Sequence, residues 1–198
     1  MSNSEPTIDL GPACRAVAEL LDGVKDDQLT GPAPSWGDVA ALLDHLMGLT
    51  LAFIWAARKE WPAGASGDDA PEAGAASLDP QWRTVLPERL ETLAQAWRDP
   101  AAFEGMTKAG GVDLPGAVTA AVALDEVVLH GWDLARATGQ RYDVDPASVA
   151  VVLEFVTGAA EMPNPIFGPP LTVSDDEPAF TRAVALAGRD PSWTPDHA

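Results

Sequence analysis

The chain has one cysteine, Cys14, so no internal disulfide can form and no cysteine cluster can hold a metal. Arg15 is the only basic residue near it, so it reads as a buried structural thiol rather than a nucleophile. Basic residues are scarce: 12 Lys and Arg stand against 30 Asp and Glu, a formal net charge of -18. With no basic stripe to displace counterions, nucleic acid is not an expected partner, nor is an anionic membrane surface. The best apolar run, "MGLTLAFIWAA" at 47–57, is well short of the ~20 residues that span a bilayer. The start, "MSNSEPTIDL", has neither a basic region nor an apolar one, so no signal peptide is expected and the cytoplasm is the expected location. There is no Gly-rich phosphate motif, no serine–histidine–carboxylate set and no internal repeat.

With 198 residues, 46% hydrophobic and 21% charged, the chain is long and apolar enough for one domain with a substantial core. Four long helical patterns stand out. The first covers about 7–24, with Leu10, Cys14, Val17, Leu20 and Leu21 in its stripe. The second covers about 36–60, with Ser35 as the expected N-cap and Asp38 completing a capping-box variant. The third covers about 80–98, capped by Asp79 with Pro80 in the first turn, and Pro87 is expected to kink or break its start. The fourth covers about 116–138 and ends at Gly139. Residues 62–79, rich in Gly, Ala, Pro and Asp, read as a long surface crossover. A short hairpin fits between the third and fourth helices on a weak Gly-Gly signal. Further helices are expected at about 146–160 and 178–187. The expected class is all-α: a four-helix bundle over about 7–139 with a short helical C-terminal extension over about 140–198.

The fourth helix carries polar residues on its inward face. At 100° per residue, His130 lies about 40° and Asp133 about 20° from Glu126, with Val122 and Ala123 on the same side. Glu and His at i and i+4 are well spaced to bind one metal ion. Of the other two histidines, His197 sits beside the C-terminus, whereas His45 lies between Leu42 and Leu49 on the core face of the second helix. The small residues Ala41, Gly48 and Ala52 share that face and leave room beside the imidazole. His45, Glu126 and His130 would form a His₂Glu set with space for a fourth ligand, the pattern of a catalytic zinc site. The same residues also fit a hydrogen-bonded core histidine and a simple i,i+4 pair. Asp133 is the candidate catalytic residue, as an acceptor behind His130 or a contact to ligand; an i,i+3 pair with Arg136 is the alternative. Gly131 points to close backbone packing, and Trp132 is expected to pack under the C-terminal segment.

"PSWGDVAALLDHLMG" and "DEVVLHGWDLARATGQ" resemble the two signature helices of the DinB/YfiT-like metal-binding bundles. The similarity is to the actinobacterial branch that includes the N-terminal domain of mycothiol-dependent maleylpyruvate isomerase. The ending "IFGPPLTVSDDEPAFTRAVALAGRDPSW" resembles that branch too, so the likeness covers nearly the whole chain. It implies a single DinB-like domain over 1–198, a long crossover between helices two and three, and a metal held by His45, Glu126 and His130. Zn²⁺ is the expected ion, with Ni²⁺ or Fe²⁺ as alternatives. The resemblance also implies a thiol cosubstrate such as mycothiol, and a small-molecule substrate. The family's isomerase has a further C-terminal domain that is not expected here, so maleylpyruvate isomerisation itself is not expected either. The expected activity is a thiol-dependent S-transferase or isomerase acting on a small electrophile. A metal-dependent hydrolase or lyase, or a non-catalytic metal or ligand binder, stands beside it, and a homodimer is left open.

Overall fold

The computed structural model of the chain describes residues 8–62, 76–109, 111–161 and 167–195. The described chain is mainly helical. Its elements are α1 (Gly11–Gly23), a β1–β2 hairpin (Pro32–Ala33 and Trp36–Asp38), α2 (Val39–Arg58) and α3 (Trp82–Ala96). A short α4 (Pro100–Phe103) and a β3–β4 hairpin (Met106–Ala109 and Val112–Pro115) lead into α5 (Gly116–Thr138), α6 (Pro146–Ala160) and α7 (Ala179–Leu186).

The four long helices close a ring in which α1 and α2 each pack against both α3 and α5. The apolar stripes explain why. Val17 of α1, Leu42, Leu43 and Leu46 of α2, Leu86, Leu90 and Leu93 of α3, and Val127 and Val128 of α5 are all 0% exposed. Each such side chain contributes about 1.5–3 kcal/mol over its exposed state. Leu42, Leu49 and Leu129 are buried as expected, but Val122 is only half-buried. Within α5, Ala120, Ala123 and Leu124 take the sealed positions there instead. Helix α2 is long and apolar enough by composition to cross a membrane, longer than the run read from sequence, but 61% of its apolar window is buried inside the fold. α6 packs on α5, and α7 packs on α6, so the C-terminal extension lies against the bundle.

Three local expectations are corrected. The N-cap of α2 is Asp38, whose Oδ1 accepts a hydrogen bond from the Ala41 N–H at 2.8 Å. Ser35 instead takes φ 61° in the two-residue turn of the first hairpin, after Pro34. That turn was hidden because Ser-x-x-Asp reads equally well as a cap and as a tight turn. Helix α3 begins at Trp82 rather than Pro80 and runs through Pro87, whose ring removes the N–H that would donate to the Arg83 carbonyl but does not break the helix. The expected crossover falls largely on residues outside the described ones. The β3–β4 hairpin realises the Gly-Gly signal, with Ala109 paired to Val112.

Candidate metal centre

The two site helices meet because α2 and α5 pack side by side. His45 projects from α2, and Glu126 and His130 from successive turns of α5. Glu126 Oε2 lies 2.9 Å from His130 Nε2 and 3.7 Å from His45 Nε2. One donor atom from each residue falls within 4.8 Å of the others. Bonds of about 2.0–2.1 Å in a tetrahedral site place neighbouring donors about 3.4 Å apart, so small side-chain rotations close the set on one ion. Two imidazoles and one carboxylate, aimed at a common point and half open to a cavity, fit a divalent cation.

The hairpin shapes one wall. Its turn brings Trp36 over the His45 ring, with centroids 4.2 Å apart and planes 29° from parallel, and edge-on to His130 at 5.8 Å. The stack restricts His45 to a rotamer that faces Glu126. A cavity of about 410 Å³ opens beside the three donors. Ser35, Trp36 and Leu129 line it on the bundle side, and Phe167, Gly168, Gly188 and Arg189 line it on the C-terminal side. The extension therefore forms part of the pocket. Gly188 permits this by adopting φ 75° where a Cβ would sit 2.9 Å from the Gly168 backbone.

Asp133 sits behind His130. It is 0% exposed and accepts a hydrogen bond from His130 Nδ1 at 2.9 Å. Arg189 grips the same carboxylate, with Nε donating to Oδ1 and Nη2 to Oδ2, both at 3.0 Å. The expected alternative, a pair with Arg136, is not formed: Arg136 lies over the Trp132 ring and donates to the Pro191 carbonyl. With the Nδ1–H held by Asp133, Nε2 is the nitrogen directed at Glu126 and at any ion beside it, and it offers a lone pair once it gives up its own proton. Gly131 is packed as expected, since a Cβ there would meet Tyr142 and Val17. Trp132 lies with Phe180, Val184 and Pro191 of the C-terminal segment. His197 lies outside the described residues.

The charges are coupled. Burial pushes the Glu126 carboxyl up, but hydrogen bonds from His130 and His45 overcome it and hold the group well below the usual carboxylate range. Burial disfavours His130 imidazolium, yet Asp133 and Glu126 together raise its pKa to about 9. A cation must therefore displace a proton from Nε2 on entry. Burial, then the neighbouring Glu126 charge, push Asp125 well above the usual range.

Sequence reasoning missed Trp36, Asp125 and Arg189. Trp36 was hidden in the supposed cap, and Arg189 lies 56 residues from its partner. Asp125 had a usable signal: its i±3 and i±4 neighbours Ala121, Val122, Val128 and Leu129 offer no polar partner.

The bundle and its donor set define a class: helical-bundle proteins with a candidate metal centre between two core helices. The model of the mycothiol maleylpyruvate isomerase N-terminal domain family matches residues 10–135, and the chain belongs to that family. It is similar to uncharacterized proteins from two strains of Mycobacterium tuberculosis, each 30% identical over 167 residues that cover 82% of both chains. No solved structure gives a significant match. The family match contains His45, Glu126, His130 and Asp133, whereas Arg189 lies beyond it.

Proposed function

We propose that this protein is a metal-dependent enzyme using a low-molecular-weight thiol of the mycothiol type, as an S-transferase or isomerase on a small electrophilic metabolite. The observation that carries the reading is the convergence of His45, Glu126 and His130 beside a cavity of about 410 Å³. The family relationship supports the thiol. When bound, a divalent cation, Zn²⁺ in the first instance, would supply Lewis-acid stabilisation of negative charge on sulfur or oxygen. The chain's own residues do the rest. His45 and His130 would bind through neutral imidazoles, and Glu126 would reduce the net charge of the centre to +1, which favours a singly anionic incoming group. Asp133 acts as a positioning residue: it holds the His130 proton at Nδ1 and so keeps Nε2 available. Trp36 and the C-terminal segment exclude bulk water from one side of the pocket.

The test is titration of cobalt-substituted protein with small thiols. Sulfur-to-cobalt charge-transfer absorption is expected. Its absence with every thiol tried would sink the thiol reading in favour of a metal-dependent hydrolase or lyase. Thiol binding without turnover of any electrophile would leave a ligand-binding role.

A further inference from the structure

One carboxylate in the cavity is not part of the donor set. Asp125 lines the same cavity as the metal-site residues, is 1% exposed, and its Oδ1 has no hydrogen-bond partner. A buried carboxylate oxygen without a partner is costly, and folds retain one chiefly where a ligand or ion completes it. Among the described residues, no Lys or Arg lining the cavity is free to do so. Arg189 is the only described Lys or Arg that lines it, and its Nε and Nη2 are both committed to Asp133. Its Nη1 turns to the Ala187 carbonyl at 3.4 Å. The residues outside the described segments include no Lys or Arg.

Away from the metal centre, the cavity thus presents an incoming ligand with an unpaired acceptor and no uncommitted Lys or Arg among the described residues. We infer that Asp125 anchors a hydrogen-bond donor, a hydroxyl or an ammonium, on a ligand whose other end reaches His45, Glu126 and His130, and that the pocket discriminates against carboxylated ligands. The inference rests on the metal centre proposed above and specifies the ligand class of that site. A donor placed there would complete Asp125 Oδ1 in a water-poor setting, whereas a carboxylate at that end of the cavity would meet an oxygen acceptor and no Lys or Arg free to pair with it.

Four thiols of similar size separate the cases on cobalt-loaded protein: ethanethiol, 2-mercaptoethanol, cysteamine and 3-mercaptopropionate. The readout is the Kd from the sulfur-to-cobalt band. A donor-bearing thiol is expected to bind about tenfold more tightly than ethanethiol, the size of one buried hydrogen bond. The carboxylated thiol is expected to bind most weakly. Preference for cysteamine assigns an ammonium, and preference for 2-mercaptoethanol a hydroxyl. Asp125→Ala should abolish the advantage while cobalt affinity and ethanethiol binding stay unchanged; Asp125→Asn, which keeps the shape, should abolish any ammonium preference. Equal Kd values in the wild type, an advantage that survives Asp125→Ala, or tightest binding by 3-mercaptopropionate would overturn the inference. If no thiol gives the band, the d–d spectrum is read with 4-methylimidazole against 4-(hydroxymethyl)imidazole. A preference for the hydroxylated ligand that is lost in Asp125→Ala upholds the anchor while the thiol reading falls; equal binding overturns the anchor as well. Protein that takes up no cobalt overturns both.

Discussion

Replacing Asp133 by asparagine removes one charge while keeping nearly the same shape, and the structure fixes what is lost. Arg189, 7% exposed, loses the anion that accepts from its Nε and Nη2, and His130 loses the acceptor of its Nδ1 proton. Breaking a buried ion pair from one side costs about 3–5 kcal/mol, because the remaining charge stays desolvated. Domains of this kind have roughly 5–15 kcal/mol in total, so Asp133→Asn should remain folded with a greatly lowered urea midpoint. A second effect concerns the metal. Without a carboxylate on Nδ1, the His130 tautomer and ring angle are no longer fixed, and zinc affinity should fall about 10–100-fold. Urea denaturation of metal-stripped protein measures the first effect, and competition with a chromophoric chelator measures the second. Arg189→Met separates them: it removes the buried cation but leaves the His130–Asp133 bond, so zinc affinity should fall less than in Asp133→Asn. The reasoning is refuted if Asp133→Asn loses under about 1 kcal/mol, as a solvent-exposed pair would, and binds zinc like the wild type.

Three further outcomes are expected. Glu126→Gln should weaken zinc binding by more than about 100-fold, beyond the loss of an outer partner, as read by the same chelator competition. Gly131→Ala should destabilise by about 1–3 kcal/mol in urea denaturation, because the added Cβ meets Tyr142 and Val17; a stabilised variant would show that helix propensity outweighs packing there. Cys14, 2% exposed, has its pKa pushed up from 9.0 to about 12, by burial first and then by Asp9 and Glu91. Its contribution to stability is fully present below pH 9.0 and is lost as pH rises toward about 12, because the unfolded thiol ionises first. A urea-midpoint series above pH 9 that is steeper in the wild type than in Cys14→Ala checks this.

How much was legible in the sequence follows from the range of each interaction. The helices of the bundle were legible because their stripes repeat within a few residues, and the donor trio because histidine is rare here and helical spacing carries Glu126 and His130 to one face. His45 was found by the same angular argument on another helix. What could not be read were pairings set by the packing of distant segments. Arg189 reaches Asp133 only because Gly188 turns the chain against Gly168. Trp36 reaches His45 only because Ser35 adopts a left-handed conformation in place of capping α2. Val122 was misplaced because a helix face read at 100° per residue does not say which neighbour covers its edge.

The account stands on one claim, that His45, Glu126 and His130 together hold one divalent cation. The direct measurement is metal content, by elemental analysis, of protein purified without an affinity tag and then dialysed against limiting zinc. About one equivalent per chain is expected for the wild type, and far less for His45→Ala and Glu126→Gln. Wild-type protein that retains no zinc, nickel or iron, or variants that retain as much metal as the wild type, would contradict it.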